Sequence, residues 1–61
     1  MPKFQIGDVV IHKSNPNQKM VVIYIIYLPI YSCRYITEEG KVLTNEFFED
    51  ELLKVQGWNE S

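Results

Sequence analysis

Alanine is absent from this 61-residue chain, and cysteine, histidine and tryptophan occur once each, as Cys33, His12 and Trp58. Each scarcity excludes something. One cysteine cannot close an internal disulfide. One Cys with one His cannot supply the four ligands of a structural zinc site. Apolar runs stay well short of the roughly 20 residues that cross a bilayer as a helix. The opening residues, MPKFQIGD, lack the apolar core of a secretory signal. A lone thiol with no targeting signal predicts a cytoplasmic protein. Without a covalent or metal staple, a chain this short buries only about 60% of its unfolded surface. It therefore needs an efficient apolar core, an oligomer, or both.

Positive charge is also sparse. Residues 1–36 carry Lys3, Lys13, Lys19 and Arg34 against Asp8, a net of +3. Residues 37–61 carry Lys41 and Lys54 against seven carboxylates, a net of −5. Sequence-independent nucleic-acid binding relies on a clustered basic face, and four scattered cations do not make one.

What the chain has is Met20 to Tyr31, MVVIYIIYLPIY, apolar at nearly every position. Val, Ile and Tyr fit a pleated surface because their stiff χ1 costs less in a strand than in a helix. Five strands are predicted. The first is Val9–Lys13, entered through the turn residues Gly7-Asp8. Ser14 to Gln18 reads as a turn into an antiparallel partner, Lys19 to about Tyr27. Leu28-Pro29 should be extended and should break the ladder. The third strand is Ile30–Ile36, with Tyr31, Cys33 and Tyr35 facing inward. Thr37 to Lys41 forms a turn with Gly40 in a left-handed conformation. The fourth strand is Val42–Phe48. Glu49-Asp50-Glu51 makes a single 3₁₀ or helical turn. Leu52–Val55 closes the sheet, and residues 56–61 form a polar tail holding Trp58.

Five short strands, tight turns and one helical turn before the last strand predict an all-β chain, a small SH3-like barrel over residues 1–55. The alternative is an α+β fold with one C-terminal helix, since Phe47, Phe48, Glu51, Leu52 and Val55 also recur at helical spacing. The barrel is favoured because closure removes exposed sheet edges.

In order, the chain presents Phe4-x-Ile6-Gly7-Asp8-Val9-Val10, Lys13-Ser14, Met20-x-Val22, Cys33-Arg34-Tyr35, a turn with Gly40, and Phe47-x-Glu49-x-Glu51-Leu52. This set resembles the YodC-like family of small bacterial proteins of unknown function, over roughly residues 4 to 53. Tyr35 stands where that family favours Trp, and the apolar Tyr27–Tyr31 connection replaces a more polar turn. The resemblance implies a compact SH3-like fold in a bacterial cytoplasm. It implies no catalytic residue.

No catalytic constellation is visible. Cys33 and His12 are the only candidates for a nucleophile–base pair, and strand parity places them on different faces. Cys33 reads as a small core hydrophobe. The cluster Glu46, Glu49, Asp50 and Glu51 does not match the spacing of a calcium loop, and no cofactor or metal is expected. Tyr24, Tyr27, Tyr31 and Tyr35 raise an aromatic platform, either for stacked bases or for a proline-rich peptide. Trp58 could anchor an interface or fold back on its own domain.

The sharpest inference concerns the second strand. Parity gives Met20, Val22, Tyr24 and Ile26 to one face and Val21, Ile23, Ile25 and Tyr27 to the other. Both faces are apolar. The candidate interaction surface is therefore Val21, Ile23, Ile25, Tyr27, Leu28, Ile30 and Tyr31, with Trp58 beyond them. The expected function is a non-enzymatic interaction module that binds an unidentified protein partner. It would also self-associate through this strand or the Tyr27–Tyr31 loop, most simply as a two-fold dimer. The competing reading is a strand bent so strongly that both faces are covered internally. A nucleic-acid-associated accessory protein is the second functional class.

Overall fold

Pairing, and not only local preference, decides where each strand ends. The computed structural model describes residues 2–55. Within them β1 is Val9–His12, β2 is Asn15–Tyr27, β3 is Ile30–Ile36, β4 is Val42–Phe48 and β5 is Leu52–Lys54. A 3₁₀ turn, Glu49–Glu51, stands between β4 and β5. The strands form one antiparallel sheet in the order β4-β3-β2-β1-β5. The chain is all-β, as an SH3-like order with one 3₁₀ turn before the last strand requires. Residues 45–55 are strand, 3₁₀ turn and strand, so the C-terminal helix is overturned. The aromatic residues at 47 and 48 pair with β3 instead of forming a helical stripe.

Turn chemistry behaves as the residue types demand. Gly7 and Gly40 have φ of +98° and +87°, which an L side chain rarely adopts. The Gly40 amide donates to the Thr37 carbonyl at 2.9 Å, and the Thr37 amide to the Lys41 carbonyl at 2.8 Å. Two turns differ from expectation. The β1–β2 turn occupies only Lys13–Ser14, and Asn15 to Gln18 already belong to β2. The register jumps there, from Ile11 opposite Lys19 to His12 opposite Asn15. Pro16, Asn17 and Gln18 thus lie outside the ladder, where proline's missing donor costs nothing. Leu28-Pro29 is a two-residue turn joined by a cis peptide and not an extended connection.

The largest departure lies inside β2. Val22 is opposite Cys33, yet Tyr24 is opposite Ser32, so Ile23 is an extra residue. A second shift separates Ile25, opposite Tyr31, from Tyr27, opposite Ile30. One inserted residue exchanges the faces of everything after it. Met20 and Val22 point into the core, as parity predicts. Between the two shifts the assignment reverses: Tyr24 is 60% exposed, and Ile25 packs against the core. Past the second shift Tyr27 is outward again, as parity predicts.

That core holds Phe4, Val10, Met20, Val22, Tyr31, Cys33 and Leu52. Tyr31 ties its layers together. Its ring meets Phe4 edge-on, with centroids 5.4 Å apart. Its hydroxyl accepts from the Lys3 and Phe4 amides at 3.1 and 3.4 Å and donates to Glu49 Oε2 at 2.5 Å. Burial, then this carboxylate, pushes the Tyr31 hydroxyl above the ordinary tyrosine range. The Glu49 carboxyl lies below the ordinary glutamate range, chiefly because Tyr31 donates to it. Glu51 is lowered mainly by the Phe48 amide, which donates to its Oε1 at 2.8 Å, and then by His12.

Tyr31→Phe keeps the ring and removes the hydroxyl that pairs the two amides. The expected loss is about 1–3 kcal/mol, read from a lowered urea midpoint with an unchanged slope. Acid tests the carboxylates. A group whose pKa is depressed on folding adds stability above its unfolded value, about 4.3 for glutamate, and loses it as pH falls through the folded value. The melting temperature should hold from neutral pH to about 5 and fall below it. Replacing Glu49 and Glu51 together with Gln should lower the neutral-pH plateau and flatten that decline.

Candidate functional site

The outer face of the sheet carries a continuous stripe. Val9 is opposite Val21, Val21 is opposite Arg34, and Ile36 is opposite Val42. Four strands therefore contribute neighbouring side chains to one surface. The bulge at Ile23 turns β2 across this surface and sets Ile23 in its wall. The result is an open groove of about 770 Å³, whose walls include Val9, Val21, Ile23, Ile36 and Val42. Two cations, Lys19 and Arg34, also line it, and among the described residues no carboxylate does. In a chain of net charge −2, that is a local reversal of sign.

The predicted surface residues do not stay together. Val21 and Ile23 line the groove. Tyr27 and Leu28 are exposed at the far end of the β2–β3 hairpin, with the half-buried Ile30 beside them. Ile25 faces the core, because the bulge reversed its side. Tyr31 is fully buried and offers no surface at all. Trp58 lies outside the described residues. Parity along β2 alone did not find Val9, Arg34, Ile36 and Val42. The signal for Arg34 and Ile36 is their alternation with the inward Tyr31, Cys33 and Tyr35, and the pairing of that outward face with β2 is what a single strand does not show.

The four tyrosines form no shared platform. Tyr24 and Tyr27 are exposed, Tyr31 is in the core, and Tyr35 is half-buried with its hydroxyl accepting from Asn45 Nδ2 at 2.8 Å. The acidic cluster is likewise divided. Glu49 holds Tyr31 and the Lys3 amide, while Glu51 holds the Phe48 amide and faces His12. Among the described residues no group of three His, Cys, Asp or Glu side chains could hold a metal ion.

His12 and Ser14, on the wall of a smaller hollow of about 300 Å³, belong to an arrangement that the residue pattern does not announce. His12 Nδ1 lies 2.7 Å from Ser14 Oγ, and His12 Nε2 lies 3.4 Å from Glu51 Oε2. Serine, imidazole and carboxylate in that order are the parts of a hydrolase relay. The Ser14 amide also donates to Nδ1, at 3.0 Å. That bond fixes Nδ1 as an acceptor and puts the ring proton on Nε2, toward Glu51. It also occupies the lone pair a general base would use. Ser14 is exposed, so nothing excludes water from it. The contact is a side-chain cap on the β1–β2 turn.

Cys33 is enclosed, and burial pushes its thiol up to about 11. It is 0% exposed. His12 is not on the opposite face that strand parity predicts; it stands opposite the core residue Leu52 and against Phe47, and its two ring nitrogens face Ser14 and Glu51 and not the thiol.

No helix among the described residues is long and apolar enough to cross a membrane. Compared with family models, curated proteins and solved structures, the chain matches none.

The native thiol should react with iodoacetamide at pH 8 at least about a hundredfold more slowly than the urea-unfolded thiol, because the thiolate is scarce and enclosed. Native labelling at the unfolded rate would mean that Cys33 is accessible.

Proposed function

We propose that this chain is a small non-enzymatic interaction module, and that the outer groove holds an extended protein segment carrying apolar side chains and a carboxylate. One observation carries the reading. The groove walls are apolar, the Arg34 guanidinium lines them, and among the described residues no acid does. Apolar walls supply affinity in proportion to the area they remove from water. A guanidinium such as that of Arg34 adds a paired, orienting contact to a carboxylate. The groove's volume falls within the usual range of binding clefts, about 300–1,000 Å³. A bacterial cytoplasmic setting accords with the single thiol and with the resemblance to YodC-like proteins.

The second reading is a nucleic-acid-associated accessory protein. It is favoured by the exposed rings of Tyr24 and Tyr27 on the same outward side as Arg34. Stacking on those rings needs a basic track beside them. The nearest partners across the sheet are Ser32 and then Glu46, which do not provide one.

Selection from a random peptide library discriminates the two. The expected winners combine apolar residues with Asp or Glu, and shift the amides of Val21, Ile23, Arg34 and Ile36 in an NMR titration. Ile23→Lys and Arg34→Glu should each weaken the selected peptide about tenfold or more, with circular dichroism unchanged. Winners without acidic residues, or shifts confined to Tyr24 and Tyr27, would count against the groove. Salt-sensitive binding of single-stranded oligonucleotides at those two tyrosines would favour the second reading.

A further inference from the structure

We infer that the free edge of β4 pairs with β4 of a second copy, antiparallel, in one register. This goes beyond the groove and uses a different part of the fold. Among the described residues β4 and β5 are the two edges of the sheet, and β5 is only three residues long. β4 is seven residues long and pairs with β3 from end to end without a register shift. Sheet edges are normally blunted by charged side chains, Pro or a bulge. β4 reads Val-Leu-Thr-Asn-Glu-Phe-Phe, with no Pro and no bulge, and Glu46 is its one charge. Val42, Leu43 and Phe48 on it are 57%, 41% and 55% exposed.

The backbone shows which groups the edge presents. The Thr37 amide bonds the Lys41 carbonyl, and the Glu49 amide bonds the Pro29 carbonyl. Both pairs continue the β3–β4 register, so the odd-numbered residues of β4 direct their backbone groups to β3. Val42, Thr44, Glu46 and Phe48 direct theirs to the open side. The Phe48 amide is already taken by Glu51 Oε1. Val42, Thr44 and Glu46 present the donors and acceptors of an unfinished ladder.

Side chains choose the register. Two copies related by a two-fold axis across the sheet must place residues of the same face opposite one another, so some residue of β4 faces itself. If Glu46 faced itself, two carboxylates would meet. If Thr44 faced itself, Val42 would meet Glu46 and Leu43 would meet Asn45. If Asn45 faces itself, Val42 meets Phe48, Leu43 meets Phe47, and Thr44 meets Glu46. Only this register sets apolar against apolar at both ends and keeps the carboxylates apart. Cross-strand pairs of this kind are the unit of sheet stability. A seven-residue edge is a small contact, so the dimer is weak and concentration-dependent.

Sedimentation equilibrium from low to high micromolar concentration should show a reversible monomer–dimer equilibrium. Thr44→Lys places a cation opposite Glu46 of the second copy and should tighten the dimer about threefold or more. Thr44→Glu should weaken it by a similar factor. Thr44 is exposed, and unchanged circular dichroism confirms folding in each variant. Asn45→Cys should cross-link two copies under mild oxidation much faster than Leu43→Cys, because position 45 alone meets itself. Ile23→Lys, in the groove, should leave the dimer intact. The proposal is overturned by a monomer at every concentration, by equal responses to both Thr44 substitutions, by equal cross-linking at 43 and 45, or by loss of the dimer in Ile23→Lys.

Discussion

Tyr31 is the side chain on which the remaining order depends. A buried tyrosine is favourable only when its hydroxyl finds partners, since an unpaired polar atom in a core forfeits much of what the ring gains. Here two separate parts of the chain meet that need. The Lys3 and Phe4 amides come from the N-terminal segment, and the Glu49 carboxylate from the 3₁₀ turn. The ring itself belongs to β3, near the middle of the sheet, and Phe4 covers it. The hydroxyl thereby ties the N-terminal segment and the 3₁₀ turn to the centre. Glu49 in turn fixes the direction in which the chain leaves β4, and hence where β5 can reach β1. With Cys33 a free, buried thiol, no covalent link does this work.

The second constraint is the pair of bulges in β2. A strand with thirteen apolar-rich residues and both faces apolar would leave half of its side chains in water if it ran straight. The extra residue at Ile23 reverses the faces partway along, so Met20 and Val22 fill the core before it and Ile25 fills it afterwards. Bulges also sharpen twist and bend, which a short sheet needs in order to wrap a core. Covering Ile25 exposes Tyr24, whose hydroxyl makes exposure less costly than it would be for an aliphatic side chain. Much of the surplus on β2 is thus absorbed internally. What remains outside is Val21 and Ile23 in the groove, with Tyr27 and Leu28 at the hairpin end.

This explains what could be read from the residues alone and what could not. Ile30–Ile36 was legible because Tyr31, Cys33 and Tyr35 alternate with Ser32 and Arg34, and a half-buried strand imposes that period. Val42–Phe48 and the turn at Glu49 were legible because a polar turn with Gly40 precedes them and three acids end the run. Gly7 and Gly40 announced their own backbone conformations. The faces of β2 were not legible beyond Val22. Every residue from Met20 to Ile26 suits a core, so no polar position marks where the period slips. A bulge is a property of two strands, fixed by which residue of β3 stands opposite, and one strand's pattern cannot show it. The groove was hidden for the same reason, since its walls come from β1, β2, β3 and β4. So was the Ser14–His12–Glu51 contact, whose members lie on a turn, a strand and a 3₁₀ segment.

The two outward surfaces are not independent, because Val42 belongs to both. It lines the groove, and it stands on the open edge of β4. In the inferred pairing, Phe48 of the second copy lies opposite Val42 on the outward face. The apolar wall of each groove would then continue onto its neighbour, and both grooves would open on the same side of one joined sheet. A segment that fills one groove would be held beside a second, and two linked segments could bind with an affinity set by their spacing as much as by either contact. Association through the edge would also shield Leu43 and Phe48 from water, which no further layer covers among the described residues. The exposed apolar side chains of β4 and the cation-lined groove beside them thus have one physical origin. Among the described residues the sheet encloses a core, but nothing covers the outward side chains of its edge strand β4.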